Sequence, residues 1–326
     1  MCTRLVYLGP NDTVITARSM DWKVDLGTNL WAFPRGMERA GCAGPTSITW
    51  TSLYGSVIAT AYDLCTTDGV NDAGLSANLL WLVESEYPTY DGSTPGLSIA
   101  LWAQYVLDRY ASVKEAVEAL AAEPFTLVTA SVPGEDRLAT LHMSLSDAGG
   151  DSAIVEYIDG RPTIHHNRDY QVMTNSPTFD KQLAVNEYWK QINGTVMLPG
   201  TNRAADRFAR ASFYVDAIPK TDDARTALAA TFSVIRNVSV PLGISTPDEP
   251  NISSTRWRTV VDHKRGLYFF ESAMTPNTFW VDVSSIDLSE GSGVRKLDLG
   301  PNESIVYSGD STDQFAQAEP FVFAGL

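Results

Sequence analysis

At 326 residues, with 44% hydrophobic composition and eight tryptophans, the chain can bury a sizeable core. Its formal net charge of -15 argues against general nucleic-acid binding, which depends on neutralising phosphates with lysine and arginine. No run of eighteen apolar residues occurs, so no membrane-spanning helix is expected, and the first residues show no basic region followed by an apolar leader core.

In chain order, residues 5–8 and 13–20 are short runs rich in β-branched residues, separated by the turn chemistry of Gly9-Pro10-Asn11-Asp12. They predict a hairpin that places Cys2 at the start of one strand and Arg18 and Asp21 at the end of its antiparallel neighbour. Further strands are expected over 47–52, 56–62 and 75–83, the last after the turn-prone Asn71-Asp72-Ala73-Gly74. Thr94-Pro95 reads as the cap and first turn of a helix running to about Tyr110, and Ser112-x-x-Glu115 as a capping box ahead of a helix over 116–122. Strands are expected at 125–132, 138–145 and 153–157, helices at 204–218 and 222–237, and strands again at 256–262, 267–271 and 278–283. Residues 241–250 read as a surface loop. With no repeat and no linker, one domain over 1–326 is expected, of α+β class, with two stacked sheets covered by helix layers.

Cys2 is the residue with the most chemistry. Removal of the initiator methionine would leave a thiol and a free α-amine on one residue, with ordinary pKa values of about 8.5 and about 7.7 to 8.0, so the amine can take the thiol proton at neutral pH. Cys42 and Cys65 read as small core or loop residues. Three cysteines with no C-x-x-C pair and no histidines at ligand spacing argue against a zinc site or a disulfide framework. A serine hydrolase would want a G-x-S-x-G elbow, which is absent, and His142, His165, His166 and His263 follow no triad pattern. His165-His166 reads as a strand end or turn. No H-E-x-x-H is present, and the N-x-S/T settings of Asn193 and Asn251 are read as chance matches. A non-catalytic binding module is the remaining alternative. Alkylating Cys2 would spare ligand affinity in a binder and abolish turnover in an amidase.

Taken together, Cys2-Thr3-Arg4, Ala17-Arg18-Ser19-Met20-Asp21-Trp22, the stretch from Asn29 to Gly36 and Val172-Met173-Thr174-Asn175-Ser176-Pro177-Thr178-Phe179-Asp180 closely resemble the choloylglycine hydrolase family of N-terminal nucleophile hydrolases. The family contains penicillin V acylases and conjugated bile salt hydrolases, and the resemblance spans nearly the whole chain. It implies a four-layer αββα sandwich, hydrolysis of a small-molecule amide without metal or organic cofactor, and a homo-oligomer, a tetramer in the family. It also implies a periplasmic location if a leader preceded the cysteine, and a cytoplasmic one otherwise.

Carried over by position, Cys2 matches the family nucleophile, Arg18 and Asp21 the pair beside it, Asn175 the oxyanion-hole asparagine and Arg207 the late active-site arginine. Singly, each has an ordinary reading: an ion pair for Arg18 and Asp21, a turn for Thr174 to Pro177, and a surface helix arginine for Arg207. The interval from Asn175 to Arg207 is shorter than in Gram-positive members, where an extended loop helps tetramers assemble. Trp81 stands where bile salt hydrolases usually carry asparagine and Gram-positive penicillin V acylases tyrosine, and its backbone N–H matches the second oxyanion donor. With Trp22 and Met20 it forms the expected substrate-binding surface, suited to flat aromatic or long acyl groups. This pattern looks like the Gram-negative cluster, which is associated with penicillin V and N-acyl homoserine lactone cleavage, with bile salts as the alternative.

Overall fold

The computed structural model describes residues 1–244 and 253–326. The predicted hairpin is present: strand Cys2–Leu8 pairs antiparallel with strand Val14–Trp22, setting Cys2 opposite Met20 and Arg4 opposite Arg18. The turn between them is made by Asn11 and Asp12 in left-handed backbone (φ 51° and 55°), a conformation their short polar side chains tolerate.

The hairpin lies inside a seven-stranded sheet ordered Val172–Met173, Cys2–Leu8, Val14–Trp22, Ser254–Asp262, Leu267–Ser272, Thr278–Asp282 and Gly309–Asp310. A nine-stranded antiparallel sheet packs against it, ordered Arg161–His166, Ser152–Ile158, Leu141–Ser146, Ser76–Trp81, Cys65–Asn71, Ser56–Ala61, Leu30–Phe33, Arg295–Leu297 and Ala316–Gln317.

Helices α1 (Trp102–Arg109) and α2 (Val113–Leu120) cover the outer face of the nine-stranded sheet. Helix α3 (Phe179–Ile192) packs on α4 (Ala204–Ala217), and α4 and α5 (Ala224–Asn237) cover the outer face of the seven-stranded sheet. The molecule is therefore a four-layer αββα sandwich of α+β class. No helix among the described residues is long and apolar enough to cross a membrane.

Because the hairpin lies between helices on one side and a sheet on the other, every residue from Cys2 to Tyr7 is buried. Odd and even positions point to different layers. Tyr7 donates its hydroxyl to the Pro219 carbonyl beyond α4, whereas Arg4 reaches into the other sheet and donates to the Leu145 carbonyl (2.7 Å) and Ser152 Oγ (3.0 Å).

Several elements depart from the sequence expectations. The helix expected from Thr94-Pro95 begins later. Gly96–Ser98 is a strand paired in parallel with Thr126–Val128, and Ser98 caps a short 3₁₀ turn, Ile99–Leu101, ahead of α1. The strand Cys65–Asn71 was not anticipated, because Asp68-Gly69 inside it carries turn chemistry. Gly69 is needed there because α1 lies directly on its backbone: a Cβ would meet Ile58 Cγ2 at 2.8 Å and Leu107 Cδ1 at 2.9 Å. Helix α3 was also missed, because its buried residues include Gln182 and Asn186, which break the apolar period. The capping box at Ser112 is real: Ser112 Oγ accepts from the Glu115 N–H. Of the expected loop 241–250, residues 245–250 lie outside the described residues, as does Asn251.

Candidate active site

The strand pairing that sets Cys2 opposite Met20 also brings Arg18, two residues back on the same face, up to the sulfur. Arg18 Nη2 lies 3.8 Å from Cys2 Sγ and 3.5 Å from Met20 Sδ, and donates to the Leu79 carbonyl at 2.9 Å. Its guanidinium is fully buried over the Trp257 ring (4.5 Å to the centroid), with Nε 3.9 Å from Asp68 Oδ2. Among the described residues neither its Nε nor its Nη1 has a hydrogen-bond acceptor. Arg18 thus sets a desolvated cation with two spare donors beside the Cys2 sulfur.

Asp21, one residue past Met20, points the other way. Its Oδ1 accepts from Thr255 Oγ1 at 2.6 Å and its Oδ2 lies 3.9 Å from Arg207 Nη1. Its backbone continues the ladder, exchanging 2.9 Å bonds with Met1: the Met1 amine donates to the Asp21 carbonyl and the Asp21 N–H to the Met1 carbonyl. Burial pushes the Asp21 carboxyl up from its ordinary range, against the pull of Arg207 and the terminal amine. Burial likewise pushes the Met1 amine down from 8.0.

Asn175 follows strand Val172–Met173, the neighbour of Cys2–Leu8. Its Oδ1 accepts from the Cys2 N–H (2.6 Å) and from Arg207 Nη2 (2.7 Å), while Nδ2 donates to the Trp81 carbonyl (2.6 Å). Arg207, in the first two turns of α4, is wholly buried; its Nη1 donates to the Cys2 carbonyl and to Thr3 Oγ1, both at 2.5 Å, and its Nε to the Asn202 carbonyl at 2.9 Å. The ordinary reading of Arg207 as a surface arginine therefore fails. The structure brings Cys2, Arg18, Asp21, Asn175 and Arg207 into one cluster, which sequence spacing alone could not do for the last two.

A cavity of about 120 Å³ opens at Cys2 and is almost entirely apolar. Met20, Trp22 and Trp81 all line it; the two indoles lie 5.5 Å apart between centroids, tilted by 45°, and Trp22 Nε1 donates to the Tyr62 hydroxyl at 3.1 Å. The Arg137 guanidinium sits 4.4 Å over the Trp81 ring. Of the Trp81 backbone, the carbonyl is engaged by Asn175. No cluster of metal-ligating side chains occurs among the described residues.

A sequence profile of linear amide C-N hydrolases, choloylglycine hydrolase family, matches residues 2–299. The chain belongs to the choloylglycine hydrolase family. It is 60% identical to a penicillin V acylase from Pectobacterium atrosepticum, covering all of this chain and 92% of the relative. The structure of a penicillin V acylase from Agrobacterium tumefaciens superposes with a TM-score of 0.94 at 67% identity, covering both chains completely. A conjugated bile acid hydrolase from Clostridium perfringens shares the fold at a TM-score of 0.78 and 24% identity, covering 95% of this chain and 98% of that one. The chain is accordingly an amidohydrolase that acts on linear amides.

Behind the cluster lie residues to which the sequence alone assigns no role. Asp68 accepts from Tyr268 Oη (2.5 Å) and Asn78 Nδ2 (2.7 Å) while facing Arg18, and burial raises its carboxyl from the ordinary range. His142, fully buried, holds the peptide that carries Asn175: its Nε2 is 2.9 Å from the Thr174 carbonyl and its Nδ1 3.2 Å from Glu156 Oε1. Gln182 of α3 adds to this, donating to the carbonyls of Asn175 and Pro177 and accepting from Thr174 Oγ1. The signal that could have found His142 and Glu156 is hairpin register, since they sit one step beyond the paired Met143 and Val155 of two predicted strands.

Burial works to raise the Glu156 carboxyl, and the His142 hydrogen bond, the His165 ring and the Phe179 N–H outweigh it and hold it at about 2. A depressed carboxyl pKa contributes stability in full above its ordinary value of 4.5, and that stability is lost as pH falls toward 2. Wild-type unfolding free energy is therefore expected to drop across that window by up to about 3 kcal/mol from this group. Glu156→Gln should be less stable at neutral pH and flatter below pH 4.5 in urea titrations. An unchanged acid slope in the variant would remove Glu156 as its source.

Proposed function

We propose that the chain is a penicillin V acylase that also cleaves long-chain N-acyl homoserine lactones, through a thioester on Cys2. The observation that carries this reading is the apolar cavity walled by Trp22 and Trp81 and lined by Cys2. Flat aromatic or long alkyl acyl groups gain by leaving water there, at about fourfold in affinity per methylene. The high identity to two penicillin V acylases supports the same choice.

In the proposed reaction the α-amine of Cys2 takes the thiol proton and the thiolate attacks the acyl carbon, so that the carbonyl electron pair moves onto oxygen. Asn175 Nδ2 carries two hydrogens, of which one meets the Trp81 carbonyl; the other and the Trp81 N–H receive the oxyanion. Collapse breaks the C–N bond, and the amine leaves with the proton from the α-ammonium. Water, giving its proton to the α-amine, then attacks the thioester and releases the acid and the thiol. Arg18 favours the thiolate, and Asp21 holds the α-ammonium. Arg207 positions Asn175. While Met1 is attached the Cys2 nitrogen is a peptide N–H that cannot accept a proton, so the active form lacks Met1.

The active enzyme is further read as a homotetramer, supported by the exposed apolar side chains Val185, Tyr188, Val196 and Met197 on α3 and the loop after it, and as periplasmic where a leader precedes the cysteine. Native mass spectrometry reads the oligomer and the processing together: the expected result is four copies of a subunit without Met1. Substrate choice is tested by one amine-release panel with penicillin V, acyl homoserine lactones of rising length, and glycocholate. Penicillin V and the long-chain lactones should lead, and a preference for glycocholate would overturn the argument from Trp81.

A further inference from the structure

The cavity that starts at Cys2 continues beyond the space between the sheets. Cys2, Met20 and Leu26 belong to the core that runs between the sheets and under α4 and α5, whereas Leu79 and Ile99 belong to the core beneath α1, yet all five line this one cavity. Cys65 and Trp81, which also line it, are end residues of neighbouring strands in the nine-stranded sheet. The cavity therefore bends around those strand ends, from the inter-sheet gap to the helix-bearing side. Its wall there is made by Leu64, Ile99 and Ala100 together with Ala324, a residue far away in sequence.

Ala324 sits on an irregular segment strapped across this part of the molecule. The Ala318 N–H donates to the Val294 carbonyl (3.0 Å), the Ala324 N–H to the Leu64 carbonyl (2.9 Å) and the Leu326 N–H to the Cys42 carbonyl (3.0 Å). Ser98 Oγ donates to the Ala324 carbonyl at 2.7 Å, so the residue is held on both of its backbone polar groups. Just before it, Phe321 and Phe323 contact each other at 4.5 Å between centroids and pack on Phe33 at 5.7 and 6.4 Å. The half-buried Ala324 is thus presented to the cavity by backbone fixed on a rigid aromatic base. Two of its anchors, Leu64 and Ser98, adjoin the lining residues Cys65 and Ile99.

We propose that the segment 321–326 is the distal stop of the acyl pocket and that Ala324 sets the longest acyl chain the enzyme accepts. This rests on the reading that acyl groups attacked by Cys2 lie in this cavity. A chain growing from Cys2 gains about fourfold per methylene while it finds empty apolar space, and nothing further once it meets the strap. A small residue at 324 leaves room for long chains, and a larger one shortens the pocket from its far end without touching the reacting groups.

The test uses the processed enzyme and straight-chain alkyl chloromethyl ketones of increasing length. In these probes the Cys2 thiolate displaces chloride to form a thioether, with the alkyl chain lying where an acyl chain would. Alkylation rates, followed by intact mass, should climb with length in the wild type and then level off. In Ala324→Phe the levelling should come about two methylenes earlier, with short-chain rates unchanged within about twofold. Should that variant fail to fold, Ala324→Val carries the test, with levelling about one methylene earlier. Identical length profiles in a folded variant and the wild type would overturn the proposal. Turnover of the amide panel is measured alongside: loss of the length shift with normal amide turnover defeats the stop alone, whereas a length shift with no amide turnover supports the stop and defeats the proposed reaction.

Discussion

Cys2→Ala is expected to fold as the wild type does and to lose amide hydrolysis by about 10⁵-fold or more, the scale seen when a covalent nucleophile is removed. The structural part of this expectation comes from how little the sulfur holds in place. Its neighbours are Met20 Sδ at 3.9 Å and Arg18 Nη2 at 3.8 Å, contacts too long to define the fold, and Arg18 remains fixed by the Leu79 carbonyl and the Trp257 ring. Deleting one buried sulfur from a site that already opens into a cavity should cost about 1 kcal/mol or less. The variant should therefore show a near-native melting temperature beside an absent acyl-enzyme in mass spectra taken during turnover. Hydrolysis within tenfold of wild type would end the proposal that Cys2 is the nucleophile.

Asn175→Ala should slow turnover by about 10²- to 10³-fold in kcat, the usual effect of deleting one oxyanion donor. The geometry makes the variant more informative than that number. The same side chain accepts from the Cys2 nitrogen and from Arg207 Nη2, so its removal leaves a buried guanidinium donor without its partner and frees the nitrogen that the reaction needs in place. If Arg207 acts by holding Asn175, then Arg207→Met should reduce kcat with little change in KM. The double variant Arg207→Met/Asn175→Ala should then be only a few-fold slower than Asn175→Ala alone. Full additivity would show that Arg207 works on something other than the asparagine.

How much of this was legible in the sequence depended on whether an element was held by local or by distant partners. The hairpin was readable because Asn11 and Asp12 suit left-handed backbone and the residues on either side are β-branched, and with it came the meeting of Cys2, Arg18 and Asp21. The strand Cys65–Asn71 was not, since Asp68 and Gly69 are turn formers whose presence in mid-strand makes sense only once Arg18 faces one and α1 rests on the other. Helix α3 hid its buried side behind Gln182 and Asn186, polar residues that break the apolar period, and Gln182 faces the peptide of Asn175 rather than an apolar core. Asn175 and Arg207 were placed by resemblance. Nothing within their own segments indicates that 173 and 205 residues of separation close to hydrogen-bond distance at Cys2.

The burial of the hairpin on both faces also bears on when a newly made chain becomes dangerous to other amides. Strand Cys2–Leu8 is flanked by Val172–Met173, and Val14–Trp22 by Ser254–Asp262, so the hairpin is enclosed by strands made much later than itself. A nascent chain made only as far as residue 200 has its thiol but lacks Arg207, the Thr255 hydroxyl that holds Asp21 and the Trp257 ring beneath Arg18. In the proposed reaction, hydrolytic competence thus arrives only after synthesis has passed the strand beginning at Ser254, when the long-range pairings close together.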